Sequence, residues 1–299
     1  MMEERWELHS GDEGYPTCLG DLEHPPETVY GRGDPAALEG PHISVVGARR
    51  ATPYGLAVAA MVGRIAAECG IVVVSGGALG CDSAAARAVL AADGRTVVVS
   101  GVGADLIYPS SSKDVFDGAI EKGGAVISLV HWGMGPRKWS FPERNHVIAA
   151  LGEALFVCEA GARSGTTSTA AVASQLGRRL YAVPGSIFSP QSAGTNRLIS
   201  EGAAIVCCEE ELEMMISLDF GRLRLVKDGY SRSEGRVLSA LVASPSRPDD
   251  LAALLGENPL TLLRTLSDYE SRGIVERLWD GRYAPSKEYL CSHTRLEKR

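Results

Sequence analysis

Residues 71–90 read IVVVSGGALGCDSAAARAVL, and this stretch decides the fold of the chain. Four β-branched residues run into a turn with three glycines, and an alanine-rich amphipathic segment follows the turn. A strand that leads through a glycine loop into a helix suits phosphate binding, because the backbone approaches closely and the first N–H groups of a helix have no internal partner. The phosphate predicted here belongs to a nucleotide cofactor, a small substrate or a nucleic acid.

The same alternation of apolar runs and helical patterns continues along most of the chain. The apolar runs lie at 43–47, 71–76, 96–101, 125–130, 154–159, 179–185 and 204–208. The helical patterns lie at 55–69, 81–92, 113–122, 143–152, 165–177 and 192–201. Continuous apolar runs indicate strands buried on both faces, so the predicted sheet is mainly parallel. We therefore predict an α/β fold, a Rossmann-like doubly wound domain, over residues 41–217.

Four further segments lie outside this predicted domain. Residues 1–40 are predicted to form an acidic extension that packs on the core, and residues 218–231 to form a linker. Residues 232–289 contain three helical patterns and two short strand patterns joined by a WDG turn, which is typical of a winged-helix domain. A tail at 290–299 completes the chain.

Composition indicates a cytoplasmic protein without a metal or cofactor. The first 16 residues are acidic and lack the apolar region of a signal peptide. No apolar run approaches the roughly 20 residues of a membrane helix, so no membrane association is predicted. The seven cysteines form no C-x-x-C pair and the six histidines show no metal-ligand spacing.

The net charge of −7 does not exclude a nucleic-acid partner. Residues 1–40 hold ten acidic and two basic residues, a balance of −8, which leaves +1 for the rest of the chain. Residues 131–200 hold seven Lys/Arg against three Glu, a local charge of +4. The local field decides whether a phosphate backbone is attracted, so nucleic acid stays open.

Two loops at predicted strand ends differ from nucleotide-cofactor motifs. In VVGARRATPYG, residues 45–55, Arg49 and Arg50 fill the space where a glycine of a G-x-G-x-x-G motif would let a pyrophosphate approach, which argues against an NAD site. Arginines at a strand end suit bidentate phosphate binding, with solvated surface residues as the alternative. The loop SGGALG, residues 75–80, has no P-loop lysine, which argues against ATP hydrolysis.

Two more loops combine polar and aromatic side chains. In residues 131–151, three cations interleave with Trp139 and Phe141 beside Asn145. Single-strand binders combine these residue types, although a hydrophobic staple with exposed charges is the alternative. In EAGARSGTTSTAA, residues 159–171, the Ser164-Gly165-Thr166 group either caps a helix or donates hydrogen bonds to an anion. The absence of a Ser-His-acid set or a G-x-S-x-G elbow favours a binding protein over an enzyme.

Seven segments in order resemble the DprA/Smf family (DNA processing protein A), and they lie at 15–34, 45–55, 75–85, 101–111, 141–151, 159–170 and 183–203. The resemblance implies a Rossmann-like core that binds single-stranded DNA, forms homodimers and loads the recombinase RecA during natural transformation. The DNA-contacting positions that it implies are Arg49, Ser75, Gly76, Gly77, Ala78, Lys138, Phe141, Arg144 and Asn145.

The chain departs from the family pattern at Leu79, Leu129 and His146, where the family usually has Arg, Glu and Arg. These departures bear on the strength and preference of DNA binding. The predicted winged helix holds eight basic and nine acidic residues over 230–289, which favours a protein-contact or regulatory module over a reader of duplex sequence.

Two other functions stay open. The first is an enzyme that resembles the LOG-like phosphoribohydrolases, whose P-G-G-x-G-T-x-x-E motif supplies a catalytic glutamate. Aligning Gly165 and Thr166 with the motif places Thr169 where that glutamate belongs, and Glu159 replaces it only if the strand end turns inward. The second is a winged-helix scaffold whose Rossmann-like domain senses a nucleotide.

Overall fold

The computed structural model describes residues 5–162, 164–224, 237–238, 240–241, 244–256 and 258–286. The chain divides into two compact units, Met1–Leu225 and Val226–Arg299. The boundary falls inside the range 218–231 that the sequence predicts as a linker. Residues 225–231 of that linker and the predicted tail at 290–299 lie outside the described residues.

The first unit is built on one sheet of nine described strands. They are β1 (Arg5–His9), β2 (Thr28–Gly33), β3 (His42–Val46), β4 (Val72–Ser75), β5 (Thr96–Ser100), β6 (Ala125–Ser128), β7 (Ala154–Val157), β8 (Arg179–Ala182) and β9 (Ala204–Ile205). Their order across the sheet is β1-β2-β6-β5-β4-β3-β7-β8-β9. Strands β3 to β9 pair in parallel, whereas β1 and β2 pair antiparallel at one end. The predicted mainly parallel α/β sheet is confirmed.

Seven helices of the described first unit connect these strands. They are α1 (Pro53–Glu68), α2 (Cys81–Ala91), α3 (Lys113–Glu121), α4 (Ser140–Leu151), α5 (Gly165–Gln175), α6 (Ala193–Ser200) and α7 (Glu209–Phe220). Two begin earlier than the sequence predicts, because Pro53 and Pro142 lie in the first helical turn, where a missing N–H costs nothing. Helix α7 extends to Phe220 and so occupies part of the predicted linker.

The helices cover both faces of the sheet, and strands β3 to β8 each contribute to two cores. In β4, for example, Val73 packs in the cluster formed with α1, α2 and α7. Its neighbours Val72 and Val74 pack in the cluster on the opposite face, with α4 and α5. Strands buried on both faces need continuous apolar runs, which explains why the sequence pattern located them.

The acidic N-terminal segment extends the sheet through β2, which pairs with β6. The Trp6 indole lies over Gly31, where a Cβ would come within 2.1 Å of the ring, and Trp6 Nε1 donates to Gly33 O at 2.9 Å. Glycine is required at residue 31 because the ring occupies the space of a side chain. The strand β1 also reaches the loop after β6, since Trp132 Nε1 donates to Glu7 Oε1 at 2.6 Å.

The described part of the second unit contains helices Pro248–Leu255 and Pro259–Ser271 and the antiparallel pair Val275–Arg277 and Tyr283–Pro285. Leu251, Leu262 and Leu266 pack together in a small apolar core. The winged-helix assignment of this unit stays a prediction. Across the described residues of both units, no helix combines the length and the apolar character needed to cross a membrane.

The buried side chain of His42, at the start of β3, predicts a pH dependence of stability. Its Nε2 donates to Ala37 O at 2.8 Å, and burial lowers the pKa of the imidazole below its usual 6.5. The unfolded chain therefore binds a proton that the folded chain does not, so the stabilisation is full above pH 6.5 and is lost as the pH falls towards the folded pKa. We expect His42→Gln to flatten the dependence of unfolding free energy on pH below 6.5, measured by urea unfolding. An unchanged pH profile would contradict this account.

Candidate functional site

The carboxyl ends of the parallel strands lie at one edge of the sheet, where ligands of doubly wound folds bind. The loops that follow β3, β4, β5, β6, β7 and β8 meet there. These loops contain the motifs that the sequence singles out, so the fold brings the predicted site residues to a common edge.

The glycine loop after β4 packs directly on the loop after β3. The amide of Cys81 donates to Ala48 O at 3.2 Å. A Cβ on Gly80, whose φ is +85°, would lie 2.1 Å from the same oxygen, so glycine is needed for this approach. At the start of the loop, Ser75 is buried and its hydroxyl donates to Val45 O at 2.9 Å. The two loops therefore form one rigid backbone surface.

Arg144 lies beneath this surface, in the second turn of α4, and only 5% of it is exposed. Its Nη1 donates to Gly76 O at 2.5 Å and to Val99 O at 2.8 Å, so it joins the ends of β4 and β5. Burial lowers the pKa of Arg144, and the charge of Asp82 opposes that shift. Burial likewise raises the pKa of Asp82, whose Oδ2 accepts from the Gly76 amide at 3.2 Å. Arg144 positions the glycine loop from inside the protein.

Three aromatic side chains lie at the end of the site near β5 and β6. The Phe141 ring packs against Gly101 and lies 5.7 Å, between centroids, from the ring of Tyr108. The guanidinium of Arg49 lies 5.8 Å from the Phe141 centroid, a cation–π contact between the loops after β3 and β6. Tyr108 and Trp139 are 47% and 50% exposed, so this group offers ring surface to solvent.

Four exposed cations lie on the loops after β3 and β6, and none forms an ion pair with a described residue: Arg49, Arg50, Arg137 and Lys138. Two nearby carboxylates are buried and already bound. Asp82 accepts from the Gly76 amide, and Glu159 accepts from the Thr52 amide at 2.8 Å and from the Thr52 hydroxyl at 2.6 Å. Exposed cations without ion-pair partners among the described residues therefore raise the potential at this edge, whereas these two carboxylates are buried and hydrogen-bonded.

The loop after β7 provides helix capping. The Ser164 hydroxyl accepts from the Thr167 amide at 3.3 Å, at the start of α5. The Thr166 hydroxyl donates to Gly47 O at 3.1 Å and so fixes the loop after β3. Asn145 approaches the same place, because a Cβ on Gly165 would lie 3.9 Å from its Nδ2. Capping by Ser164 is thus observed, and the DNA-binding role of Ser164, Gly165 and Thr166 stays a prediction.

The predicted residues thus divide into a surface group and a supporting group. Arg49, Lys138 and partly exposed Ala78, Phe141 and Asn145 face the edge, whereas Ser75, Gly76, Gly77 and Arg144 are buried beneath it. Among the departures from the family pattern, Leu79 and His146 are exposed. Leu129 packs against the core.

Sequence reasoning missed Tyr108 as a member of the site. The only available signal was an aromatic residue in the loop that follows a predicted strand, within GVGADLIYPSS at 101–111. Its contact with Phe141 joins residues that are far apart in the chain, and no local pattern reveals such a contact.

Comparison with known proteins identifies relatives of this chain. The family model of DNA recombination-mediator protein A matches residues 7–217. DNA processing protein DprA of Streptococcus pneumoniae is 36% identical over 202 residues, covering 67% of this chain and 71% of that protein. DprA of Bacillus subtilis is 35% identical over 199 residues, covering 66% and 67%.

Two solved structures share the fold. The crystal structure of DprA from Streptococcus pneumoniae matches with a TM-score of 0.66 and 33% identity, covering 73% of this chain and 75% of that chain. DNA processing protein A from Helicobacter pylori, solved to describe its single-stranded DNA binding mode, matches with a TM-score of 0.66 and 29% identity, covering 73% and 98%.

Proposed function

The chain belongs to the family of DNA recombination-mediator protein A, and on that basis we propose that it binds single-stranded DNA across the carboxyl edge of its sheet. The observation that supports this most is the Tyr108–Phe141 ring pair with the Arg49 guanidinium on Phe141, on an edge that also carries exposed Arg50 and Lys138. Cations follow a phosphate backbone, and aromatic rings stack on unpaired bases whatever their sequence.

The glycine loop suits a backbone phosphate better than a nucleotide substrate. It offers amide groups and small residues but has no lysine, and the fixed supporting residue Arg144 lies behind it. Exposed Arg49 and Arg50 stand on the adjoining loop, where they can pair with successive phosphates.

We further propose that the chain is a binding protein and not a nucleotide hydrolase. The carboxylate of Glu159 is engaged by Thr52 at the start of α1, so it is not poised to act as an acid or base. Thr169, at the position of the hydrolase glutamate, is buried and donates to Gly165 O at 3.1 Å. Release of a free base from nucleoside monophosphates by the purified chain would contradict this proposal.

The cellular role that we propose is the handling of incoming DNA in natural transformation. In this role a homodimer of the chain protects the single strand in the cytoplasm and loads RecA onto it. Membership of the family supports this proposal. A monomeric mass by light scattering at micromolar concentration would contradict the dimer. If the chain does not increase the rate of RecA assembly on single-stranded DNA, the loading role is contradicted.

The binding test is fluorescence anisotropy of a labelled oligo-dT against a duplex of equal length, over a range of salt concentrations. We expect single-strand affinity to fall with a log–log slope of about −0.7 per neutralised phosphate. Lys138→Ala and Arg49→Ala should each weaken binding, because each removes an exposed cation. Each should also reduce the magnitude of the slope by about 0.7, the contribution of one neutralised phosphate.

Arg95→Ala is the matched control. Arg95 is also an exposed arginine, but it precedes β5 at the opposite edge of the sheet. We expect this variant to bind like the wild type. Equal losses in all three variants would indicate attraction by overall charge, and would contradict a defined site at the carboxyl edge.

A further inference from the structure

The loop after β8 presents two adjacent apolar side chains to solvent. Ile187 is 85% exposed and Phe188 is 90% exposed. Single exposed apolar residues are common on protein surfaces and need no explanation. Two adjacent ones next to the candidate site instead indicate a binding surface.

Hydrogen bonds at its base hold the loop in place. Asn196 spans the turn, since its Oδ1 accepts from the Gly185 amide and its Nδ2 donates to Gly185 O, both at 3.0 Å. The Ser189 amide donates to Ser186 O at 3.0 Å and closes a turn around the two apolar residues. The tip is therefore held outward by the backbone, with no packing partner among the described residues.

Two contacts tie this loop to the candidate site. The Tyr54 hydroxyl donates to Pro184 O at 2.7 Å, and Tyr54 lies in the first turn of α1, directly after the loop with Arg49 and Arg50. The Gly194 amide donates to Ala160 O at 2.7 Å, which joins the start of α6 to the loop after β7. The tip is thus a continuation of the same edge.

The strand order places the tip and Phe141 on opposite sides of the cations. Phe141 packs against Gly101, which follows β5, and β5 lies two strands from β3, the strand that leads to Arg49 and Arg50. The tip follows β8, two strands from β3 on the other side, so four strand-to-strand steps of about 4.8 Å give a span of roughly 19 Å. About six nucleotides at a stacked rise of 3.4 Å cover that span.

We propose that Phe188, with Ile187 beside it, is a second stacking surface for unpaired bases of the bound strand, at the end of the site opposite Phe141. The inference rests on the proposed single-strand binding. Phosphates on Arg49 and Arg50 fix the middle of the strand, and bases on either side reach an aromatic ring. Bases are the occupant because the tip continues a surface that carries exposed Arg49, Arg50 and Lys138 and whose opposite end is aromatic.

The test measures binding of oligo-dT of four, eight and twelve nucleotides to the full chain. In the wild type, affinity should rise steeply between four and eight nucleotides, when a strand first reaches both rings. Phe188→Ala should abolish this extra rise. It should also weaken binding of the twelve-nucleotide strand about fivefold or more, since fivefold is the smallest effect expected for the loss of one base–aromatic stack. Phe188→Trp should retain wild-type affinity, and Phe188→Leu should lose it, because leucine is apolar but cannot stack.

Leu218→Ala is the matched control, because Leu218 is exposed to 76% on α7. Wild-type affinity in this variant is expected. If the wild type binds no single strand, the inference falls together with the proposed function. If Lys138→Ala weakens binding but Phe188→Ala does not, the inference alone is overturned. Full affinity in Phe188→Leu, or a change of mass by light scattering in Phe188→Ala, would also overturn it in favour of an apolar contact with protein.

Discussion

Replacing Arg144 by methionine lowers the free energy of unfolding by about 3 kcal/mol or more, the cost of breaking a buried charged contact on one side. The substitution leaves Gly76 O and Val99 O without their donor and leaves buried Asp82 without the nearby positive charge. Methionine fills a similar volume, so the decrease in unfolding free energy measures removal of the guanidinium and not creation of a cavity. Urea unfolding of the full chain, followed by circular dichroism, measures the effect.

Arg87→Met is the control for this prediction. Arg87 forms a two-bond pair with Asp114, at 2.6 and 3.0 Å, but both side chains are about half exposed. Exposed pairs contribute about 0–1 kcal/mol, so this variant should lose little. Equal losses for Arg144→Met and Arg87→Met would contradict the supporting role of Arg144.

A double variant separates the two parts of the Arg144 effect. In Asp82→Asn, the side-chain oxygen can still accept from the Gly76 amide but carries no charge. We expect Arg144→Met to cost less in this background, because no uncompensated carboxylate stays buried. Strictly additive losses would show that Asp82 and Arg144 are not energetically coupled.

Replacing Phe141 by alanine weakens single-strand binding by about 1–3 kcal/mol, roughly 5- to 150-fold. The substitution removes the ring that lies between Tyr108 and the Arg49 guanidinium. Anisotropy titration of labelled oligo-dT measures the loss. Because no charge is removed, the salt slope should stay that of the wild type.

Phe141→Tyr is the conservative control and should keep most of the affinity, because the tyrosine ring also stacks. A flattened salt slope in Phe141→Ala would show that the substitution displaces cations instead of removing a stacking surface. Unchanged affinity would contradict the placement of bases on this ring.

The sequence predicted strands β3 to β8 closely because burial on both faces requires unbroken apolar runs, but it did not predict β1 and β2. The starts of α1 and α4 were placed too late, since Pro53 and Pro142 resemble helix breakers but occupy first-turn positions. Helix α7 was not predicted. Its stop is Gly221, in a left-handed conformation with φ +61°, whereas the sequence reading placed a linker from residue 218.

The site was predicted less completely because its members are defined by long-range contacts. Arg144 looks like a surface cation in a stretch of cations and aromatic residues. Its burial depends on Gly76 and Val99, which are 68 and 45 residues away in the chain. Tyr108 and Phe188 lie outside the 131–151 stretch of cations and aromatic residues, and only the sheet order brings them to the same edge.

The central claim is that a single strand lies across the carboxyl edge of the sheet. Photo-crosslinking of a bromodeoxyuridine-containing oligo-dT to the full chain, followed by sequencing of the crosslinked peptides, tests it most directly. The account predicts crosslinks at Tyr108, Phe141 and the 183–192 loop, and their loss when unlabelled single strand competes. Crosslinks confined to residues 237–286, or to the opposite edge around Arg95, would contradict it.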